Sequence, residues 1–503
     1  MKQYSRKKGT LALIFSSYAS IILSVIKGIV LFPIYLHFIN DRLFGAWLAT
    51  GGIVAYFGLL DFGLNGVLIQ KVSSLFGKND NDKLGSILGT GIVIGLLFSL
   101  IPTILGLFIV NWVPGIVHVA GVDAEKLGTA FILASVGASS MLAMYTIGGI
   151  VVSFQRQIVH GIMLVIGDIV GVFVIIWFLY KGYGLIAIPL GTIAWSIFAI
   201  LGEGIYLYWF FKNKMPLLRV KVKKDVIKEL AVPSIWQFGY RSTNTISKQS
   251  DNLLIAAIID PYLCTIYTFT NKASEVLSMF AKHFVGAFLP SFSHLNGEGN
   301  DEKFRNITLQ LLKLTVLFGI CLLGCYLFLN KYFISIWVGD KYYGGTILTI
   351  LFFINSLFVI LTSFFYCIIF AKDEIVISSK AYIAESVIRI PLSIAFLLLF
   401  GMKGAVISAI IAMIPTSLFI QGKKFIEKLK ITKVEIYDVL KIIVTQIVFI
   451  LVAGIILTHF WTPEGIVNFA LFGLAYITLV IGLGVFVNKK LFISTYSYYK
   501  NGF

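Results

Sequence analysis

The chain has 503 residues, 58% of them hydrophobic and 13% charged, with a formal net charge of +17. Soluble domains carry about 25% charged residues; here the mean hydropathy is +0.91, and the apolar residues form blocks of ~20 or more, the length that crosses a ~30 Å hydrocarbon core. These values exclude a soluble globular domain, and the placement of the charges excludes nucleic acid as the reason for the basic excess.

The sequence is that of an all-α polytopic membrane protein. Fourteen transmembrane helices are expected, at 11–37, 44–70, 84–110, 127–154, 158–180, 184–211, 229–259, 262–290, 306–330, 343–371, 375–400, 404–421, 438–458 and 465–487. The basic N-terminus leads into an apolar run longer than the ~7–15 residues of a signal-peptide core, and no small-x-small cleavage site follows, so it reads as a retained first span. The connections are short and leave no room for a separate soluble domain. With the N-terminus inside, 27 Lys and Arg fall on inside segments and six on outside segments. That split follows the positive-inside rule and is expected to put both termini in the cytoplasm. The basic segments 212–228 and 422–441 are expected to lie against anionic headgroups.

The chain repeats itself. Asp41, between spans 1 and 2, recurs as Asp260 between spans 7 and 8. The polar turn Gly77–Leu84 recurs as Gly297–Phe304, Asp168 of span 5 as Glu385 of span 11, and Gly184 as Gly404. The shifts are 217–220 residues. A unit of six spans is even-numbered, so the halves have parallel topology, related by an axis along the membrane normal. The expected organisation is an N-lobe over 1–211, a basic cytoplasmic linker over 212–228, a C-lobe over 229–421, and 422–503 holding two C-terminal helices and a cytoplasmic tail. Two such six-helix lobes suit a transporter that rocks around a central path.

Polar residues inside the spans carry the functional question. The stretch Ser234–Ile259 has apolar ends, yet its middle holds Arg241, Asn244, Lys248, Asp251 and Asn252. Three- and four-residue steps put these on one helix face. An ion at the bilayer centre costs at least ~2.5–3.5 kcal/mol, so the face is expected to look into protein or a watery cavity. The first six spans contain Lys27, Asp61, Asp168 and Glu203. The second six contain Arg241, Lys248, Asp251, Lys272, Glu275, Lys282, Lys313, Lys380, Glu385 and Arg389, and are net basic. Lys282, Lys313 and Lys380 lie near the inside ends, where long side chains snorkel. Lys248 and Asp251, Lys272 and Glu275, and Glu385 and Arg389 are spaced to meet on their own helices.

Two readings of these charges stay open: ion pairs that lock a lobe, or a hydrated cavity whose cations meet an anionic substrate. Under the second, the substrate-binding candidates are Arg241, Lys248, Lys272, Arg389, Lys27 and Asn244. Arg241 has no acid three or four residues away and is the foremost candidate for a phosphate contact. Asp61, Asp168, Asp251, Glu275 and Glu385 are candidates for ion coupling or for structural ion pairs. Ser17, Ser20 and Ser24 extend the Lys27 face as a polar stripe.

Other chemistry finds no motif. There is no GxxxxGK[ST], hence no ATP site, and no HExxH. The four cysteines, Cys264, Cys321, Cys325 and Cys367, have no metal-ligand spacing and read as small hydrophobes. Asp80-Asn-Asp82 could be the acidic metal motif of a glycosyltransferase, but with no nucleotide-binding domain around it, it reads as a solvated turn. No cofactor is expected and no enzymatic activity.

Phe44-Gly45-Ala46-Trp47 with Leu59-Leu60-Asp61-Phe62-Gly63-Leu64, and Lys248-x-x-Asp251 leading to Tyr267 and Lys272, resemble patterns of the polysaccharide flippases. These are the bacterial O-antigen and capsule repeat-unit translocases of the multidrug/oligosaccharidyl-lipid/polysaccharide exporter superfamily, and the resemblance covers essentially the whole chain. It implies a V-shaped two-lobe fold and movement of undecaprenyl-diphosphate-linked glycan from the cytoplasmic to the outer leaflet for lipopolysaccharide or capsule assembly. The partners it implies are that glycan, the lipid bilayer, H⁺ or Na⁺, and polysaccharide polymerase or assembly proteins, with no nucleic acid. The rival readings are an organic-cation:H⁺ or Na⁺ antiporter of the same superfamily, for which an acidic cavity is expected, and a membrane oligosaccharide polymerase or ligase, for which a large external loop is expected.

Overall fold

The computed structural model describes residues 25–78, 80–154, 156–215, 220–287, 301–372 and 375–487. The described residues contain no strand. The first helices are α1 (Val25–Phe38), α2 (Asp41–Phe57), α3 (Leu64–Lys78), α4 (Asn81–Ile109), the short α5 (Val113–Ile116) and α6 (Val122–Ser153). Then come α7 (Gln157–Tyr180), α8 (Ala187–Lys214), α9 (Lys224–Ile258), α10 (Pro261–Ala287) and α11 (Asp301–Trp337). The chain continues with α12 (Thr346–Ala371), α13 (Ile375–Phe400), α14 (Lys403–Met413), α15 (Phe419–Leu429), α16 (Lys433–Phe460) and α17 (Ile466–Val487). Within the described residues every expected span falls on one of these helices or on a pair of them; 11–24 of span 1 and 288–290 of span 8 lie outside the described residues. Ten stretches of the described residues are long and apolar enough to cross a membrane.

Two spans depart from a plain helix. Span 2 is broken between α2 and α3. Phe62 (φ 47°) and Gly63 (φ 78°) are both left-handed, a conformation that ends a right-handed helix. The Asp61 carboxylate accepts the Gly63 N–H at 3.1 Å and closes the turn. Phe62 is held there by ring contacts to Phe98 of α4 and Phe238 of α9, both with centroids 5.2 Å away. Span 12 widens into a π-helical turn, Ile414–Leu418, between α14 and α15. Pro415 lies in that turn and has no N–H to give the ladder. Pro102 and Pro391 sit inside α4 and α13 without breaking them.

The residues fall into two compact units, one up to Cys264 and one from Thr265. In the first, α8 packs on both α7 and α6, and α6 on α4. Missing side chains allow these approaches: a Cβ on Gly171 would lie 2.8 Å from the Gly191 carbonyl oxygen of α8. In the second unit α14 packs on α13 and α12, and α12 on α11. These are the equivalent pairs of the internal repeat, span 6 on spans 5 and 4 becoming span 12 on spans 11 and 10. The final two helices, α16 and α17, lie on α11. There the buried Gln446 amide donates to Cys321 Sγ at 3.1 Å and to the Val480 carbonyl at 3.5 Å.

Repeat and packing divide the chain at different places. The repeat divides it by sequence order at 212–228. The packing divides it inside α10, because α9 lies against α2, α3 and α4. A Cβ on Gly52 would sit 2.7 Å from the Gln249 carbonyl oxygen, so glycine is what lets these two helix backbones touch. Tyr56 and Ser250 share a hydrogen bond of 3.1 Å in the same seam.

The outward faces of several helices are apolar and uncovered. Phe108 of α4 and Leu398 of α13 are each 72% exposed. Such surfaces are a liability in water and the expected lining toward lipid. Polar anchoring is concentrated at helix ends. Asp80 accepts the Lys83 N–H and caps α4, so the Asp80–Asp82 motif is a helix-start turn. Thr432 and Glu435 form a capping box at the start of α16, and Arg305 of α11 donates to both Glu435 oxygens, at 2.7 and 2.6 Å.

Candidate functional site

In the first unit the structure joins two candidates that lie 141 residues apart. Lys27 of α1 reaches Asp168 of α7, Nζ to Oδ1 at 2.5 Å. The ammonium also lies over the Trp195 ring of α8, 5.8 Å from its centroid. Neither side chain is fully buried, at 32% and 22% exposure. The pair is neutral overall, a form in which two charges can stand inside a membrane domain. Ser17, Ser20 and Ser24, the rest of the predicted stripe, lie outside the described residues.

Asp61 has a structural task, the turn between α2 and α3. On α9, Asp251 is buried beside Ser250, whose hydroxyl meets Tyr56. Arg241, Asn244 and Lys248 fall on α9, and their side chains lie outside the described residues. At the far end of α9, Arg42 bridges to Asp260 at 3.5 Å and donates to the His118 carbonyl at 3.5 Å. The His118 ring meets the Ala256 carbonyl at 3.3 Å. Both repeat-related acidic turns are therefore at helix ends.

In the second unit Lys272 and Glu275 meet along α10 at 3.1 Å, as their spacing predicts. Glu275 is 61% exposed. The backbone beside them is clamped: Tyr326 and Asn330 of α11 donate to the Thr270 carbonyl at 3.0 and 3.1 Å, and the Gly344 N–H donates to the Thr270 hydroxyl at 2.9 Å. Lys272 follows this anchored turn by two residues. Glu385 of α13 is buried and accepts a hydrogen bond from Ser417 in the π-helical turn. Arg389 follows one turn later on α13. Lys313, read as a snorkelling residue, pairs with Asp438 of α16 at 3.4 Å.

One pair was not legible in the sequence. His160, three residues into α7, shares a hydrogen bond of 2.5 Å between its Nδ1 and Glu203 Oε1 of α8. Glu203 stood out as a carboxylate within a span, but nothing in the local spacing pointed to a histidine 43 residues earlier. The signal available was the type of residue alone, a histidine inside an otherwise apolar helix.

The comparisons with known proteins follow this geometry. A family model described as "Polysaccharide biosynthesis protein" matches residues 53–347, more than half of the chain. No curated protein matches the sequence. Solved structures match in fold. The structure described as "Lipid II flippase MurJ, inward closed conformation" has a TM-score of 0.70 at 16% identity, covering 96% of this chain and 100% of that one. An inward-facing multidrug resistance MATE family transporter of the MOP superfamily gives 0.64 at 16% identity, covering 82% and 95%. Its superfamily relative described as outward-facing gives 0.55 at 16% identity, covering 85% and 97%. At these identities the likeness shows the fold alone, and that fold bears out the resemblance carried by the motifs of spans 2, 7 and 8. The chain therefore belongs to the polysaccharide biosynthesis protein family, built on the fold of the multidrug/oligosaccharidyl-lipid/polysaccharide exporter superfamily.

Proposed function

We propose that this protein is a flippase. It moves undecaprenyl-diphosphate-linked oligosaccharide repeat units from the cytoplasmic to the outer leaflet of a bacterial inner membrane by alternating access, driven by an ion gradient. The observation that carries the reading is the family match over 53–347. The fold shared with a lipid II flippase supports it. So does the net basic set of in-span charges in the second repeat, because an organic-cation exporter calls for an acidic cavity instead.

In this proposal Arg241, Lys248, Lys272 and Arg389, with Asn244, replace the water that the diphosphate sheds on entry. Arginine suits that role through its bidentate fork. The polyprenyl tail stays in lipid. Lys27 neutralises Asp168 in the first repeat, and Asp251 and Glu385 balance the cations of the second. Both termini are cytoplasmic, and a polymerase or assembly protein consumes the product outside.

The test is a deletion strain complemented with wild type or Arg241→Ala. The deletion is expected to accumulate lipid-linked repeat units on the cytoplasmic side and lose surface polysaccharide. Wild type restores display; Arg241→Ala, present in the membrane at normal level, does not. Undiminished display in the deletion strain refutes the flippase reading, and full display with Arg241→Ala removes that residue from the site.

A further inference from the structure

Glu203 is 0% exposed and holds one hydrogen bond, from His160. Its second oxygen, Oε2, is buried and has no hydrogen-bond partner among the described residues. A carboxylate in that state carries charge that its surroundings do not satisfy. The third wall of the site is the α6 backbone at Gly148. A Cβ there would lie 2.5 Å from His160 Cε1, 2.6 Å from Nδ1 and 3.0 Å from Glu203 Oε2. Any other residue at 148 would drive the two groups apart, so glycine keeps imidazole and carboxylate in contact against bare backbone.

We propose that His160 and Glu203 form a proton-binding site, and that its occupancy is the coupling event of the transport cycle. The proposal rests on the flippase reading and names the coupling ion as H⁺. The balance is simple. Empty, the pair is a carboxylate and a neutral imidazole, with net charge −1. One proton taken up on the unpartnered Oε2, beside the Nδ1–H···Oε1 hydrogen bond, makes it neutral, and its release restores the charge. Histidine is the side chain whose ordinary titration spans about pH 5 to 8. With 21% of its side chain exposed against 0% for the carboxyl, His160 is the way in for the proton.

The surrounding titratable groups leave the pair to itself. On α7, Arg156 directs its guanidinium to the Phe210 ring, 5.7 Å from the centroid, and Asp168 is engaged by Lys27. On α8, Tyr206 stacks with Phe210, and the lysines begin at Lys212. Between Lys126 and Ser153, α6 contributes Tyr145 as its one titratable side chain, and the turn Gly184–Ile186 contributes none. Beyond α6, Lys71 of α3 is held by Glu229 at 2.8 Å.

The experiment uses the full chain in liposomes of phosphatidylethanolamine and phosphatidylglycerol, with protons as the only ligand. Infrared difference spectra are recorded as pH is lowered from about 8 to 5, the histidine range. The wild type is expected to gain a protonated-carboxyl band that Glu203→Gln lacks. His160→Asn is expected to move the band's midpoint by about one pH unit or more, as a change in the hydrogen bond that holds the ionised carboxyl does. Should Glu203→Gln fold poorly, His160→Asn and Gly148→Ala keep the carboxyl and carry the test through that midpoint. A band unchanged in Glu203→Gln, or a midpoint unchanged in both other variants, overturns the site while leaving the flippase reading intact. In cells, Glu203→Gln is expected to lose surface polysaccharide and its dependence on the proton gradient. Wild-type display that still follows the gradient overturns the coupling role. Normal display in the deletion strain refutes the flippase reading instead, and the spectra judge proton binding independently of it.

Discussion

At the scale of single residues, the clearest interaction is the Lys27–Asp168 pair. Removing one partner leaves the other charged among helices, whereas removing both leaves two neutral side chains. Lys27→Ala is therefore expected to lower the thermal unfolding midpoint of the purified protein more than Lys27→Ala with Asp168→Asn does. The coupling should be about 0.5–3 kcal/mol, the range for residues in contact. Strictly additive effects would mean the pair contributes no coupling. This pair also marks where the sequence ceased to be informative. Periodicity put Lys27 on the serine face of its own helix, and the spacing of Lys272 and Glu275 gave their contact outright. A partner 141 residues away depends on which helices become neighbours, and no local pattern encodes that. The same holds for His160 and Glu203. Asp61 was legible as an unusual carboxylate, but its task as a turn-former required the left-handed backbone at Phe62 and Gly63.

At the scale of elements, hydrophobic length set the spans and special residues set their interruptions. Span 2 reads as continuous in hydropathy because Asp61-Phe62-Gly63 is only three residues set between two apolar runs. The break is a matter of backbone conformation, which hydropathy does not sense. Gly63→Ala forces a side chain into φ 78° and is expected to cost about 1–2 kcal/mol. Thermal unfolding in detergent measures it, and an unchanged midpoint would mean that the turn relaxes without strain. The π-helical turn at Ile414–Leu418 has a different origin, a proline at its start, and it presents Ser417 to Glu385. The seams of α2 with α9 and of α11 with α16 are fixed by contacts of named side chains, so these elements have defined registers.

At the scale of the whole molecule, the internal repeat was the most informative feature of the sequence, since the packing pairs of the first unit recur in the second. The charge split of 27 to six gives the proposed orientation a direct check. A cysteine placed at Lys126 is expected to react with a membrane-impermeant maleimide in intact cells. One placed at Lys430 is expected to react only after the membrane is opened. The native Cys264, Cys321 and Cys367 are buried and Cys325 half-buried, so the background should be low. Labelling in the opposite order would invert the orientation and, with it, the direction of transport.

The bridge made by Gln446 bears on biogenesis. Gln446 is made 125 residues after the Cys321 that it contacts. At about 5–20 residues per second, a ribosome needs roughly 6–25 s to supply it. For that interval the face of α11 destined for the last two helices must rest against lipid or an insertase. Its composition permits this: Leu317, Ile320, Cys321 and Gly324 present no charge along the stretch. The glutamine then brings its own amide to Cys321, already in place, and meets the Val480 carbonyl only when α17 follows.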